Sequence, residues 1–128
     1  MAQLDVAGKV VNSSGHFLRF MRYEIVKDFS DFLILSKMNE APHSGYDVIN
    51  YYRSNYGILL SSGNVYSQLS RMENLGLVKS TWRGRKRTYR LTPLGVLFLR
   101  KFQENIFAIQ VFINRLFANE FRNGTDME

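Results

Sequence analysis

The sequence predicts a mainly α protein with one small β-hairpin, a helical domain followed by a single long C-terminal helix. Three observations predict it. Apolar residues recur at helical spacing in three successive segments, residues 28–39, 44–55 and 61–75. Two short β-compatible runs, residues 77–82 and 87–91, flank Arg83-Gly84-Arg85-Lys86, where glycine supports a tight reversal. Residues 94–119 then hold no proline and no glycine after Gly95, with apolar residues every three or four positions.

Each element has a local reason. Residues 1–15 mix small, polar and β-branched types, and Asn12-Ser13-Ser14-Gly15 is a loop signal, so this arm is expected to be loosely ordered. In the first confident helix, Asp28 or Ser30 can cap free N–H groups, and Phe29, Phe32, Leu33, Ile34 and Leu35 form a face broad enough for the core. Glu40-Ala41-Pro42-His43 breaks it, because proline disfavours helical geometry in the residue before it. The second helix carries Tyr46, Ile49 and Tyr51 or Tyr52 on one side and ends at Tyr56-Gly57, a glycine C-cap. Ser61 is an N-cap for a third helix with Val65, Leu69, Met72 and Leu75 on its apolar face, closed by Gly76. Thr92-Pro93 starts the last helix, a hydroxyl cap with proline at the first helical position. That helix spans roughly 40 Å at 1.5 Å per residue, more than a small core can cover. Its stripe of Phe98, Phe102, Ile106, Ile109, Ile113 and Leu116 therefore predicts a second subunit.

Composition narrows the function. A 128-residue chain with 45% hydrophobic residues supports one core with appendages. Its net charge of +6 favours a polyanionic partner. No cysteine is present, which removes disulfides and thiolate sites and fits a reducing compartment. There is no signal-like start and no run of about 20 apolar residues, so a soluble, cytoplasmic and nucleoid-associated protein without membrane attachment is expected. His16 and His43 stand at no metal-ligand spacing and are read as structural. No nucleophile with its base, metal cluster or phosphate-binding glycine loop occurs, so neither an enzyme nor a bound cofactor or metal is expected.

The order helix, helix, helix, basic hairpin is the layout of a winged helix-turn-helix, whose third helix enters the major groove of double-stranded DNA. Charge follows that layout. From Arg71 to Lys101 the cations are Arg71, Lys79, Arg83, Arg85, Lys86, Arg87, Arg90, Arg100 and Lys101, against one acid, Glu73. The polar face of the third helix carries Ser62, Asn64, Ser67, Gln68, Ser70 and Arg71, groups able to bond phosphates and base edges. A polar helix face is often merely solvated, and a cationic hairpin tip can simply guard a sheet edge. Their conjunction favours DNA. Trp82 is read as a hairpin packing residue.

These residues also carry a family resemblance. Phe32-Leu33-Ile34-Leu35, Ser44-Gly45-Tyr46-Asp47-Val48-Ile49, Leu60-Ser61-Ser62-Gly63-Asn64-Val65-Tyr66, residues 69–78 and residues 87–95 together resemble PadR-family transcriptional regulators across roughly residues 29–97. The family often has His-Gly-Tyr where this chain has Ser44-Gly45-Tyr46, and Pro-Gly at Ser62-Gly63. The resemblance implies a homodimeric regulator, commonly a repressor, with one recognition helix on each half of a palindromic operator. It puts Ser61, Ser62, Gly63, Asn64, Tyr66 and Gln68 on the recognition helix and Arg85, Lys86 and Arg87 on the wing, beside Ser67, Arg71 and Arg83 from the charge and polarity pattern. The single C-terminal helix resembles the shorter branch, in which some members bind flat aromatic compounds at the dimer interface. Phe98, Phe102, Phe107, Phe112 and Phe117 could line such an effector pocket, although an aromatic stripe at helical spacing favours plain dimer core.

The expected organisation is thus residues 1–27 as an N-terminal arm or short helix, 28–92 as the winged helix-turn-helix, 93–121 as the dimerisation helix and 122–128 as a flexible tail. Within the arm, the basic and aromatic stretch 16–23 fits a short helix, a contact with the partner subunit or a secondary DNA contact. Two other functions use the same features: an architectural DNA-binding protein with weak sequence preference, and a protein-interaction module acting through the long helix.

Overall fold

The computed structural model describes residues 14–126, with side chains over 15–119. Five helices and one hairpin follow in order: α1 (Ser14–Asp28), α2 (Ser30–Glu40), α3 (Gly45–Tyr56), α4 (Ser62–Asn74), β1 (Val78–Arg83), β2 (Lys86–Leu91) and α5 (Pro93–Asp126). The expected loop at residues 1–13 lies outside the described residues.

Of the three options for the stretch 16–23, the structure makes it helical, as part of the 15-residue α1. Only Phe29 separates α1 from α2, and its N–H still reaches the Ile25 carbonyl at 3.1 Å. The core gathers Ile34, Leu35 and Met38 from α2, Val48 and Tyr52 from α3, Val65, Leu69 and Met72 from α4, Val78 and Tyr89 from the hairpin and Leu99 from α5. Burial pushes the Tyr52 hydroxyl up to about 12, and its oxygen meets Ser30 Oγ at 3.0 Å.

The caps expected at Gly57, Ser61 and Gly76 are present, but the expected cap of α2 by Asp28 or Ser30 is not: its N-cap is Phe29, with no side-chain hydrogen bond. Ser44 and Asp47 form a reciprocal capping box on α3, and Gly57 closes that helix at φ 65°. Ser61 Oγ accepts from the Asn64 amide at the start of α4. At its end, Gly76 takes φ 79°, its N–H reaches the Glu73 carbonyl, and the Leu77 N–H reaches Met72. This is the paired bonding of a Schellman motif.

The hairpin register runs from Val78↔Leu91 to Arg83↔Lys86, leaving Gly84-Arg85 as a two-residue turn. Gly84 alone takes positive φ in that turn, as a type II′ reversal requires at its first central position. The break after α2 is more than a break. His43 exchanges both backbone hydrogen bonds with Tyr89, at 3.0 and 2.8 Å, and so ties the α2–α3 loop to the wing.

Two sequence motifs that lie sixteen residues apart at their caps meet where α5 begins. Thr92 Oγ1 donates to the Gly76 carbonyl and accepts from the Gly95 amide at 3.0 Å, while the Thr92 N–H reaches Leu77 at 3.1 Å. A β-carbon on Gly95 would stand 2.0 Å from the Leu77 oxygen, so this close approach requires glycine.

α5 departs from expectation at its end. Its backbone stays helical through Asp126, so residues 122–126 extend the helix in place of the expected flexible tail; Met127 and Glu128 lie outside the described residues. At about 1.5 Å per residue, its 34 residues reach roughly 50 Å. Phe98 and Phe102, expected at the subunit interface, also pack within the chain: both stack on Phe32, at 5.5 and 4.0 Å between ring centres.

Candidate nucleic-acid interface

α4 presents two polar flanks with different surroundings. On the solvent side, Gly63, Tyr66, Ser67, Ser70, Arg71 and Asn74 share one open surface. Toward α2, the polar groups are taken up by bonds inside the chain. Gln68 Nε2 lies 2.9 Å from Ser30 Oγ and 2.6 Å from Asp31 Oδ1. The Arg71 guanidinium meets both Asp31 carboxylate oxygens, at 2.6 and 2.7 Å, and that bond raises the Arg71 pKa. Gln68, expected to read a base edge, therefore sits in a brace between α2 and α4, and Arg71 is shared between that brace and the open surface.

The wing sorts its cations in the same way. Arg87 meets Glu73 at 3.0 Å and Ser80 at 2.9 Å, lying between the rings of Trp82 and Tyr89 at 5.7 and 5.3 Å. The Glu73 carboxylate also accepts from the Ser80 amide at 2.6 Å. Hydrogen bonding from Ser80 chiefly, with Arg87 adding, holds Glu73 below its ordinary 4.5. Arg87 is thus built into the junction of α4 and the hairpin rather than projecting from the tip. Arg83 and Arg85 form no ion pair with any described residue, and Lys86 approaches Asp47 only to 3.8 Å. The Ser44 amide chiefly, then Lys86 and His43, keep Asp47 below its usual range.

The two halves of the site face one another. Ser44 and Tyr46 from the start of α3, Tyr66 from α4, and Trp82, Arg83, Arg85, Lys86 and Arg87 from the wing line a common groove. Tyr66 lies against the start of α3 because Gly45 has no side chain: a β-carbon there would stand 2.6 Å from the Tyr66 ring. Ser61, Ser62, Gly63 and Asn64 occupy the exposed first turn of α4. Of the expected site residues, Tyr66 lines both the open surface of α4 and the wing groove, whereas Gln68 and Arg87 are bonded inside the chain. Tyr46 and Trp82 also open onto this groove, and the sequence reading did not place them there. Exposed aromatics at an element's edge were the available signal, but a lone Tyr or Trp more often packs than binds.

The dimer stripe divides along α5. Phe98 is 41% exposed despite its stacking, and Ile106 and Leu116 are 39% and 44% exposed, with Ile109 and Ile113 half-buried. Among the described residues no helix is long and apolar enough to cross a membrane, and no group of three His, Cys, Asp or Glu side chains could hold a metal ion.

Comparison with known proteins agrees with this geometry. Residues 34–101 match the transcriptional regulator PadR-like family. A PadR family transcription regulator from Clostridium difficile R20291 is 30% identical, covering 69% of this chain and 98% of its own, with a TM-score of 0.60. A PadR family transcriptional regulator from Eggerthella lenta DSM 2243 is 23% identical over 81% of this chain and 95% of its own, with a TM-score of 0.67. Bacillus subtilis PadR in complex with operator DNA shares the fold at 24% identity and a TM-score of 0.50, covering 57% of this chain and 46% of its own. No curated protein gives a significant match. With a family match over more than half its length, a winged fold and the hairpin and helix motifs in their expected places, the chain belongs to the PadR-like family of transcriptional regulators.

Proposed function

We propose that this protein binds double-stranded DNA sequence-specifically as a homodimer and represses transcription from a palindromic operator. The observation that carries the reading is the position of Tyr66, which lines both the open flank of α4 and the groove that holds the wing cations Arg83, Arg85 and Lys86. In this reading Ser61, Ser62 and Tyr66 grip phosphates, Asn64 and Ser67 reach base edges in the major groove, and Arg83, Arg85 and Lys86 add phosphate contacts. Gln68, Arg71 and Arg87 set the angle of α4 and the wing through Asp31 and Glu73. Binding of operator DNA by Bacillus subtilis PadR, a protein of the same fold, supports the assignment.

The dimer follows from apolar surface. α1 exposes Phe17, Leu18, Phe20, Tyr23 and Ile25, and α5 exposes Ile106, Phe107, Phe112 and Leu116. Large exposed apolar side chains gathered on helices in this way mark surfaces that a partner covers, and closed two-fold pairing is the common solution. We assign Phe107 and Phe112 to subunit packing rather than to an aromatic effector pocket.

The test is binding to the protein's own upstream region with random competitor present and salt varied. Protection of two half-sites about one helical turn apart is expected. Arg85→Ala with Lys86→Ala should weaken binding to every sequence and flatten the log–log salt slope by roughly 0.9 for each lost phosphate contact. Asn64→Ala should relax preference at one position while keeping that slope. Uniform, salt-sensitive coating would indicate an architectural protein instead, and no binding at physiological salt would indicate a protein-interaction module.

A further inference from the structure

The groove between the start of α3 and the wing carries more than cations. Its volume is about 710 Å3. Three aromatic rings open onto it and remain largely in solvent: Tyr46 is 65%, Trp82 63% and Tyr66 45% exposed. Scattered exposed apolar side chains need no explanation, but three rings converging on one cationic groove form a surface with a chemistry.

Two of the rings are held in place. Tyr66 lies against Gly45. Trp82 sits opposite Arg87 in the hairpin register, with the guanidinium 5.7 Å from its ring centre, and Glu73 and Ser80 fix that guanidinium in turn. A pinned cation supports the indole, and the rest of the ring faces the groove ready-oriented.

Charge complementarity selects the occupant. Among the described residues Arg83 and Arg85 form no ion pair, and Lys86 reaches Asp47 only at 3.8 Å, loose enough to exchange for a stronger anion. The neighbouring acids are already engaged, Asp47 by the Ser44 amide and Glu73 by Ser80 and Arg87. A nucleic-acid backbone joins charged phosphates to uncharged sugars, which matches a groove lined by both cations and rings.

We propose that this groove clamps one backbone strand of duplex DNA. Arg85 and Lys86 take a phosphate, the Tyr46 hydroxyl donates to one of its oxygens, and the Trp82 ring packs on the adjoining deoxyribose. This rests on the DNA-binding reading above and adds to it Tyr46 and Trp82, which set how deeply the wing sits.

Trp82 is the sole tryptophan of the chain, so its fluorescence reports this groove alone. Wild-type protein is titrated with a labelled random-sequence duplex at low salt. Anisotropy of the label follows binding, and acrylamide quenching follows Trp82. At saturation the quenching is expected to fall severalfold. Trp82→Ala should weaken binding about tenfold, near the lower end for an aromatic contact with a nucleotide, and Tyr46→Phe about threefold, roughly one ordinary hydrogen bond. Neither should change the salt slope, since neither alters charge. Trp82→Phe should recover most of the loss and controls for hairpin folding. If the duplex binds while Trp82 stays equally quenchable and Trp82→Ala binds like wild type, the clamp is overturned and the DNA-binding reading survives. If no duplex binds, both fall.

Discussion

In the first ten residues of α5 part of the apolar stripe is taken up by the chain's own fold, although Phe98 stays 41% exposed. Leu99 is 3% exposed, Phe98 and Phe102 stack on Phe32, and Thr92 and Gly95 lock the helix start to the turn after α4. From Ile106 onward the same spacing continues, yet Ile106, Phe107, Phe112 and Leu116 range from 39% to 75% exposed. Periodicity therefore reports a helix with an apolar side; what covers that side is decided by where neighbouring elements end. Helix α2 and strand β2 reach only the first turns of α5, and the stripe outlasts them.

The sharpest way to break this comparison is to charge the distal half alone. Ile109→Arg with Ile113→Arg should disrupt the proposed dimer by about 4 kcal/mol or more, since it would bury two unpaired cations, while the wing domain keeps its helical circular dichroism. Sedimentation equilibrium reads the result directly. A variant that remains dimeric would show that the distal stripe is not the interface.

A proximal substitution should do the reverse. Gly95→Ala forces a β-carbon against the Leu77 carbonyl, and a loss of about 3 kcal/mol of domain stability is expected from overpacking against a backbone atom. It should appear in urea unfolding monitored at a concentration where the dimer is saturated. Thr92→Ala removes the cap oxygen and leaves the Gly95 amide without its partner, for about 1 kcal/mol. Were either change silent, the clasp would not be what fixes the helix start.

The smallest expected effect is a titration confined to the proximal region. Glu73 has a folded pKa below its ordinary 4.5, so its contribution is full above that pH and is lost as pH falls through the depressed folded value. Wild type should therefore lose its advantage over Glu73→Gln in thermal melts as pH drops below about 4.5, whereas Ile109→Arg with Ile113→Arg should show no such convergence. A constant gap between wild type and Glu73→Gln at all pH values would remove the Glu73 clasp from this account.

α4 repeats the lesson on a smaller scale. Ser67, Gln68, Ser70 and Arg71 read as one polar face, yet Gln68 turns toward Ser30 and Asp31 while Ser70 faces solvent. Asp31 lies 37 residues from Gln68, so no local pattern could have separated the brace from the reading surface. The cations of the wing divide likewise, Arg87 going to Glu73 and Arg85 to solvent.

What the sequence by itself determined is local: helix and strand periods, the caps at Ser61 and Thr92, the glycines at 57, 76 and 84, and the concentration of positive charge from Arg71 to Lys101. These depend on residues within a turn or two of one another, so spacing and residue type carry them. Only the tertiary structure decided that Phe98 and Phe102 belong to the core edge, that His43 pairs with Tyr89 across the wing, and that Gln68 and Arg87 act as internal supports. Each of those depends on a partner far along the chain, and a side chain able to satisfy itself in water or in protein does not announce which it will choose until packing brings that partner within hydrogen-bond reach.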